Sequence, residues 1–371
     1  MASNGLANIV EKVRAGERLS FADGLRLYES SDIHTLGELA NLVRERRHGR
    51  RAFYNVNLHI NYTNYCVLRC KFCSFYRPYA RDAADGYELT VDEIVARAKN
   101  AYDRGATEVH IVGGLHPKLP FAYYTDMCSA IRDACPQMHI KAFTAIEIIH
   151  YTRISKPRLS IAEVLRALRE AGLGSLPGGG AEIFDDRVHD EAFQNKVGEA
   201  EWFDVHRAAH DLGIFSNATM LYGHVETPAE RIKHLIKLRE HQDVSLASRR
   251  AHFNCVIPLS FIPDGSALSH LAGPSGLDDL RTLAVSRLML DNFEHVKAFW
   301  IMQGPKLAQV SLNWGVDDID GTVVYYDITK RQGSATTHQE LTVERLQRLI
   351  TQAGCRPVER DTLYRPVVRP S

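Results

Sequence analysis

Residues 55–73 read NVNLHINYTNYCVLRCKFC, an alternating strand that runs straight into three closely spaced cysteines. Over 55–62 the apolar Val56, Leu58, Ile60 and Tyr62 alternate with Asn55, Asn57, His59 and Asn61. That is the period of two that a β-strand imposes. A strand buried in a parallel sheet normally reads as a continuous apolar run. A polar face four residues long therefore either lines a polar ligand cavity or forms a hydrogen-bonded core network, since unpaired buried amides are costly. Cys66, Cys70 and Cys73 follow with the spacing Cys-x3-Cys-x2-Cys. Thiolates are the usual ligands of iron–sulfur clusters. Three of them leave one iron of a four-iron cluster open, and an open iron can bind and reduce a small molecule. The competing readings are a zinc site and three ordinary thiols. Structural zinc takes four protein ligands, and Cys128, Cys135, Cys255 and Cys355 are scattered rather than paired.

From residue 55 onward, strand, loop and helix alternate. Thr90 and Glu93 form a capping box, and Leu89 and Ile94 a hydrophobic staple, at the start of a helix over 90–104. The patterns predict further strands at 107–112, 139–143, 173–176, 214–221, 251–257, 297–301 and 321–324. Helices are expected at 121–134, 160–171, 199–212, 277–292, 305–313 and 341–353, and one begins at Thr227-Pro228 with Glu230 at its third position. This repetition predicts an α/β fold, a parallel (β/α)8 TIM-type barrel. The alternative is an open doubly wound sheet with added helices. Residues 1–50 carry three amphipathic stretches (7–15, 20–30 and 34–46) and read as an N-terminal helical extension, a cap or buttress for a barrel domain over 51–371. Residues 354–371 read as a C-terminal tail.

The chain has 371 residues, 45% of them hydrophobic, with 45 acidic and 45 basic side chains. A balanced charge gives no field to draw in nucleic acid or an anionic membrane. Seven cysteines, three of them crowded, do not make a disulfide framework and fit a reducing cytoplasm. The first residues lack the apolar core of a signal peptide, and no apolar run reaches membrane-spanning length. The expectation is a soluble cytoplasmic enzyme.

A barrel carries its active site at the carboxyl ends of the strands, and the unusual residues fall there. Gly113-Gly114-Leu-His116 follows the second strand, Pro177 to Glu182 the fourth, and Tyr222-Gly223-His224-Val-Glu226 the fifth. Asp317-Asp318-Ile-Asp320 lies at the eighth. Each has a plain alternative. Glycine pairs are usually turns, and Glu226 suits a helix N-terminus. His206 and His210 have chelating spacing but no adjoining carboxylate motif, so a surface pair is the better reading.

Cys-x3-Cys-x2-Cys after a first barrel strand, with Phe72 before the third cysteine, resembles the radical S-adenosylmethionine (SAM) enzymes. The resemblance implies a [4Fe–4S] cluster on Cys66, Cys70 and Cys73, with SAM on the open iron. It further implies that Gly113 and Gly114 hold the methionine amino group, although Leu115 replaces the family's usual acidic residue. Glu182 would contact the ribose, and Asn217, Thr219 and Leu221 would lie near adenine. Within that family, VGGLHPKLPFAYY (112–124), SLPGGGAEIF (175–184), NATMLYGHVET (217–227), GPKLAQVSLNWG (304–315), DDIDGTV (317–323) and PVERDTLY (357–364) resemble the aminofutalosine synthases of the futalosine route to menaquinone. The cyclic dehypoxanthinyl futalosine synthases and the deazaflavin-forming enzymes are similar in motif and barrel. The implied substrate is 3-[(1-carboxyvinyl)oxy]benzoate, and the implied electron donor is flavodoxin- or ferredoxin-like. Two substrate carboxylates call for cationic or amide donors, for which Arg77, His59, Asn61 and His116 are candidates, with Asp320 a candidate substrate-site residue that orders water or a donor.

Overall fold

The computed structural model describes residues 6–80, 85–323, 326, 328 and 339–369. Three helices lead: α1 (Ala7–Ala15), α2 (Phe21–Glu29) and α3 (Ile33–His48). Strands β1 (Arg51–Asn55) and β2 (Asn57–Ile60) come next, two halves of one strand broken at Val56. Then follow α4 (Val91–Asp103), β3 (Glu108–Ile111), α5 (Phe121–Ala134), β4 (His139–Ala142), α6 (Ala145–Ile154), α7 (Ile161–Ala171) and β5 (Leu173–Leu176). The second half holds α8 (Asp186–Ala192), α9 (Glu199–Asp211), β6 (Phe215–Tyr222), α10 (Pro228–Ser248), β7 (Phe253–Ser260) and α11 (Gly276–Met289). It ends with β8 (His295–Val296), α12 (Trp300–Gln303), α13 (Pro305–Ser311), β9 (Asp318–Gly321), α14 (Val343–Gln352) and β10 (Arg356–Glu359).

Strands β2 to β8 form one parallel sheet in sequence order, and β1 pairs with β9 and β10 in a second. The two sheets are continuous through the backbone. Asp317 N–H donates to Val296 O (3.2 Å) and Ala298 N–H to Asp318 O (2.8 Å), joining β8 to β9. Phe53 N–H donates to Asp317 O (2.7 Å), and His59 N–H to Val323 O (2.9 Å), joining β9 to the first strand. The ring thus closes as the parallel α/β barrel that the strand–helix repetition predicts, with the helices outside it.

Local chemistry explains where most helices start. Capping boxes sit at Thr90–Glu93, Thr144–Glu147, Ser160–Glu163 and Thr227–Glu230, each supplying acceptors to backbone N–H groups that the first turn leaves unpaired. Helix α2 packs on α10 and α11 and α3 on α11, outside the barrel, while α1 packs on α3. Arg281 fastens the end of α2 by donating to the carbonyls of Leu27, Tyr28 and Ser30.

Several expectations need correction. The strand expected at 297–301 ends at Val296, and α12 replaces its second half because the Trp300 indole turns inward to donate to Gly321 O (2.8 Å). The eighth strand lies at 318–321 rather than 321–324, and Val324 falls outside the described residues. Helix α6 was not anticipated because it is buried almost all round and shows no polar stripe. Residues 354–369 are more than a tail, since β10 pairs in parallel with β1 over Arg51–Tyr54. His206 and His210 are not a surface pair. Both are fully buried and share the Ser216 hydroxyl at 2.9 and 2.8 Å.

Candidate active site

A cavity of about 280 Å³ opens at the carboxyl ends of the strands. Its mouth is the cysteine loop, which neighbouring loops hold in place through the backbone. Val67 N–H donates to Leu115 O (3.0 Å), Lys71 N–H to Ala192 O (2.8 Å), and Ala267 N–H to Lys71 O (2.9 Å). The end of α8 and the loops after β3 and β7 therefore fix the segment that carries the thiols. Cys66, Cys70 and Cys73 all line the cavity and are free of disulfides. Burial raises all three thiols, that of Cys70 to about 12. Without a cation they stay protonated; a bound metal replaces the protons.

Of the residues singled out in the sequence, Phe72, Gly113, Gly114, Glu182, Asn217, Thr219, Leu221, His59 and Asp320 also line this cavity. Their side chains are not all available to a ligand. The Thr219 hydroxyl donates to Gly178 O at 2.7 Å. The Glu182 carboxylate is ion-paired with Lys196, whose ammonium lies 5.2 Å from the Phe72 ring centre. Glu182 and Asp320 have φ of 45° and 65°, left-handed backbone that strains a non-glycine residue by about 1–2 kcal/mol. Gly113 and Gly114 are glycines for packing as well as access. A Cβ on Gly113 would sit 2.7 Å from the Tyr62 ring, and one on Gly114 would collide with the Tyr65 carbonyl.

Three candidates lie outside the cavity lining. Arg77 turns back on its own loop and donates to the carbonyls of Ser74 (3.0 Å), Phe75 (3.3 Å) and Tyr76 (2.9 Å). Asn61 donates to Val112 O (2.9 Å). His116 pairs with Glu88 at 2.7 Å, and its Nδ1 accepts from the backbone of Lys118 and Leu119. These contacts set loop geometry. The polar face of the first strand is thus divided: His59 lines the cavity, while Asn57 and Asn61 bond within the core.

Sequence reasoning missed the cavity's buried charges. Glu147 lines the wall behind Gly113. Its Oε1 accepts from Tyr62 Oη (2.7 Å) and Gly113 N (3.1 Å), and its Oε2 from Thr144 N (2.7 Å) and Oγ1 (2.8 Å). Burial pushes its carboxyl up to about 7 against those four donors. On the floor lie His110, Lys141 and Lys297. Lys141 Nζ donates to Glu108 at 2.5 Å and Lys297 Nζ to Asp320 at 3.0 Å. The available signals were the Thr144/Glu147 capping box and a lysine inside each of two otherwise apolar strand regions.

The comparisons with known proteins agree with this geometry. The radical SAM superfamily model matches residues 60–238, and a CofH/MqnC C-terminal region model matches residues 250–371. An aminodeoxyfutalosine synthase of Thermus thermophilus is 49% identical over 366 residues, 98% of this chain and 96% of that one. The chain belongs to the radical SAM superfamily. An aminodeoxyfutalosine synthase of Streptomyces coelicolor is 44% identical over 95% of this chain and 92% of its own length. A cyclic dehypoxanthine futalosine synthase of the same organism is 34% identical, covering 98% and 89%. Among solved structures, methylornithine synthase (PylB) superposes with a TM-score of 0.73 at 19% identity, covering 94% of this chain and 97% of that one, which supports the fold. The superfamily's cofactors are a [4Fe–4S] cluster and SAM. The donor set fits them: three free thiols on one cavity wall, with an open chamber beside them. Among the described residues, no helix is long and apolar enough to cross a membrane.

Proposed function

We propose that this chain is an aminofutalosine synthase. It joins the 5′-deoxyadenosyl group of SAM to the vinyl carbon of 3-[(1-carboxyvinyl)oxy]benzoate, with aryl migration and loss of the carboxyl, giving 6-amino-6-deoxyfutalosine. The observation that carries the reading is near-half identity over nearly the full length to proteins named for this activity, together with three free thiols at the mouth of a chamber. Cys66, Cys70 and Cys73 are the cluster ligands in this reading, and Gly113, Gly114, Glu182, Asn217 and Leu221 border SAM. When bound, the cluster and SAM supply a one-electron cleavage that delivers a 5′-deoxyadenosyl radical.

The chain's own part is to place and to shield. Glu147 fixes the Gly113 amide and so sets the shape of the glycine loop. The Lys196–Glu182 pair holds the loop after β5 in its strained backbone conformation beside the cysteine loop. Apolar side chains, among them Leu259, Phe261, Ile262, Phe299 and Met302, line the chamber and exclude water from a reactive carbon centre. Fixing two reactants at contact distance in such a chamber supplies much of the rate. A flavodoxin- or ferredoxin-like protein supplies the electron, and the free thiols suit a reducing cytoplasm.

The test is anaerobic reconstitution with iron and sulfide, a chemical reductant, adenosyl-labelled SAM and the enol ether. Label in an aryl nucleoside, one per methionine formed, supports the proposal. Label mainly in free 5′-deoxyadenosine overturns it in favour of a hydrogen-abstracting relative.

A further inference from the structure

The chamber floor carries two buried cations that the sequence did not bring forward. Lys141 is on β4, and Lys297 follows β8 directly. In the closed ring three strands separate them on either side: β5, β6 and β7 one way, β9, the first strand and β3 the other. They therefore reach the cavity from opposite walls. Register sets their level: His59, His110 and Lys141 are directly paired across β2, β3 and β4, and Lys297 pairs with Asp318 beside Asp320. Both lysine side chains are nearly fully buried, 3% and 2% exposed.

Burying a lysine is a poor way to stabilise a barrel. Two ammonium groups leave water, and the carboxylates Glu108 and Asp320 repay only part of that. A pair of apolar side chains would serve the core at least as well. An ammonium also has three N–H donors. Among the described residues, each of these lysines makes one hydrogen bond to its carboxylate, so further donors face the chamber. Nearby, the His59 Nδ1 is buried in the cavity wall with no hydrogen-bond partner among the described residues. On the β7 side the wall between the two cations carries Ile257, and Phe299 adds apolar surface, whereas the other arc carries the polar His59, His110 and Asp320. Two cations on opposite walls of the chamber match a flat ligand with an anionic group at each end. The third lysine of the chamber, Lys196, is tied to Glu182 at the mouth.

We propose that Lys141 and Lys297 are the specificity-determining cations of this site and hold an aromatic dicarboxylate on the cavity floor, one carboxylate each. This rests on the aminofutalosine synthase reading for the identity of the substrate. It replaces Arg77 as the carboxylate anchor. The partner carboxylates Glu108 and Asp320 keep the two ammonium groups charged and aimed, as positioning residues.

The test uses reconstituted holoenzyme saturated with SAM and three compounds: 3-[(1-carboxyvinyl)oxy]benzoate, the analogue without the benzoate carboxyl, and the analogue without the acrylate carboxyl. Lys141→Met and Lys297→Met are compared with wild type. The charge-neutral doubles Lys141→Met/Glu108→Gln and Lys297→Met/Asp320→Asn are included in case a lone buried carboxylate prevents folding. Each lysine variant should lose roughly 10- to 100-fold in kcat/KM on the dicarboxylate, the scale of a charge-assisted hydrogen bond. Each should also be indifferent to removal of one carboxylate, and the two variants to different ones. A comparison made within each variant cancels any general loss of activity. An equal loss on all three compounds overturns the proposal. Equilibrium binding of benzene-1,3-dicarboxylate to the same proteins separates it from the functional reading. If wild type ignores the enol ether yet binds this probe through both lysines, the function is wrong and the cradle stands. If wild type converts the enol ether and neither lysine matters to probe or substrate, the cradle is wrong and the function stands.

Discussion

Arg77 shows how much a single side chain's direction matters. Beside a cluster loop, an arginine reads as a ligand for substrate carboxylates, yet its guanidinium satisfies three carbonyls just after Cys73. Arg77→Ala should therefore lower the iron retained per chain after reconstitution, while KM for the aryl substrate in the remaining holoenzyme stays within about twofold. A selective rise in that KM would restore the earlier expectation. Glu147 offers a titration. Its folded carboxyl sits at about 7 because burial outweighs its donors, above the ordinary value of about 4.3. The folded state thus binds the proton more tightly, and this stability is complete below pH 4 and lost as pH rises through 7. Its span is up to about 4 kcal/mol. Denaturation of Glu147→Gln and wild type between pH 5 and 8 should show wild type losing stability relative to the variant as pH rises; parallel curves would contradict it. Among single residues, the sequence made the cysteines legible through spacing. Lys141, Lys297 and Glu147 became legible only once register put them on one chamber.

Elements were legible where local chemistry is strong. Capping boxes placed the starts of α4, α7 and α10, and alternation placed β2 and β6. Strand β9 was misplaced because Asp-Ile-Asp-Gly is a poor strand sequence by composition. What makes it a strand is tertiary. Asp317 accepts from Arg287 and from His295 (2.5 Å), and Asp318 from Arg360 (2.6 Å), all of them buried. That last bond links the element after β10 to the barrel, which is why residues beyond 354 do not hang free. Arg360→Met leaves Asp318 buried without its ion-pair partner, so it should destabilise the chain by roughly 3–5 kcal/mol. Urea denaturation measures it. The double change Arg360→Met/Asp318→Asn should recover much of the loss, and a loss below 1 kcal/mol for the single change would mean that β10 is not anchored in this way.

At the scale of the whole molecule, buried histidines should govern acid stability. Burial depresses His59, His139 and His241 to about 4, His234 to about 3 and His210 to about 2. Unfolded, each titrates near 6.5. A base with a depressed folded value contributes stability that is present above the unfolded value and lost as pH falls below it. Each group removes up to about 1.4 kcal/mol per pH unit in that window. The melting temperature should therefore fall steeply between pH 6.5 and 4.5, opposite in sign to the Glu147 effect, and a flat profile there would refute neutral burial. Barrel closure also explains why the site came through as loops rather than as a list of residues. The strand-end loops were identifiable by order along the chain, whereas facing across the ring is a property of the closed sheet alone. The thiols at the mouth and the chamber behind them act as one site, and anaerobic turnover with adenosyl-labelled SAM and 3-[(1-carboxyvinyl)oxy]benzoate tests this most directly. The expected result is label recovered in 6-amino-6-deoxyfutalosine, one per methionine, and lost with Cys70→Ala. Label recovered chiefly as free 5′-deoxyadenosine, or turnover that survives loss of Cys70, would contradict it.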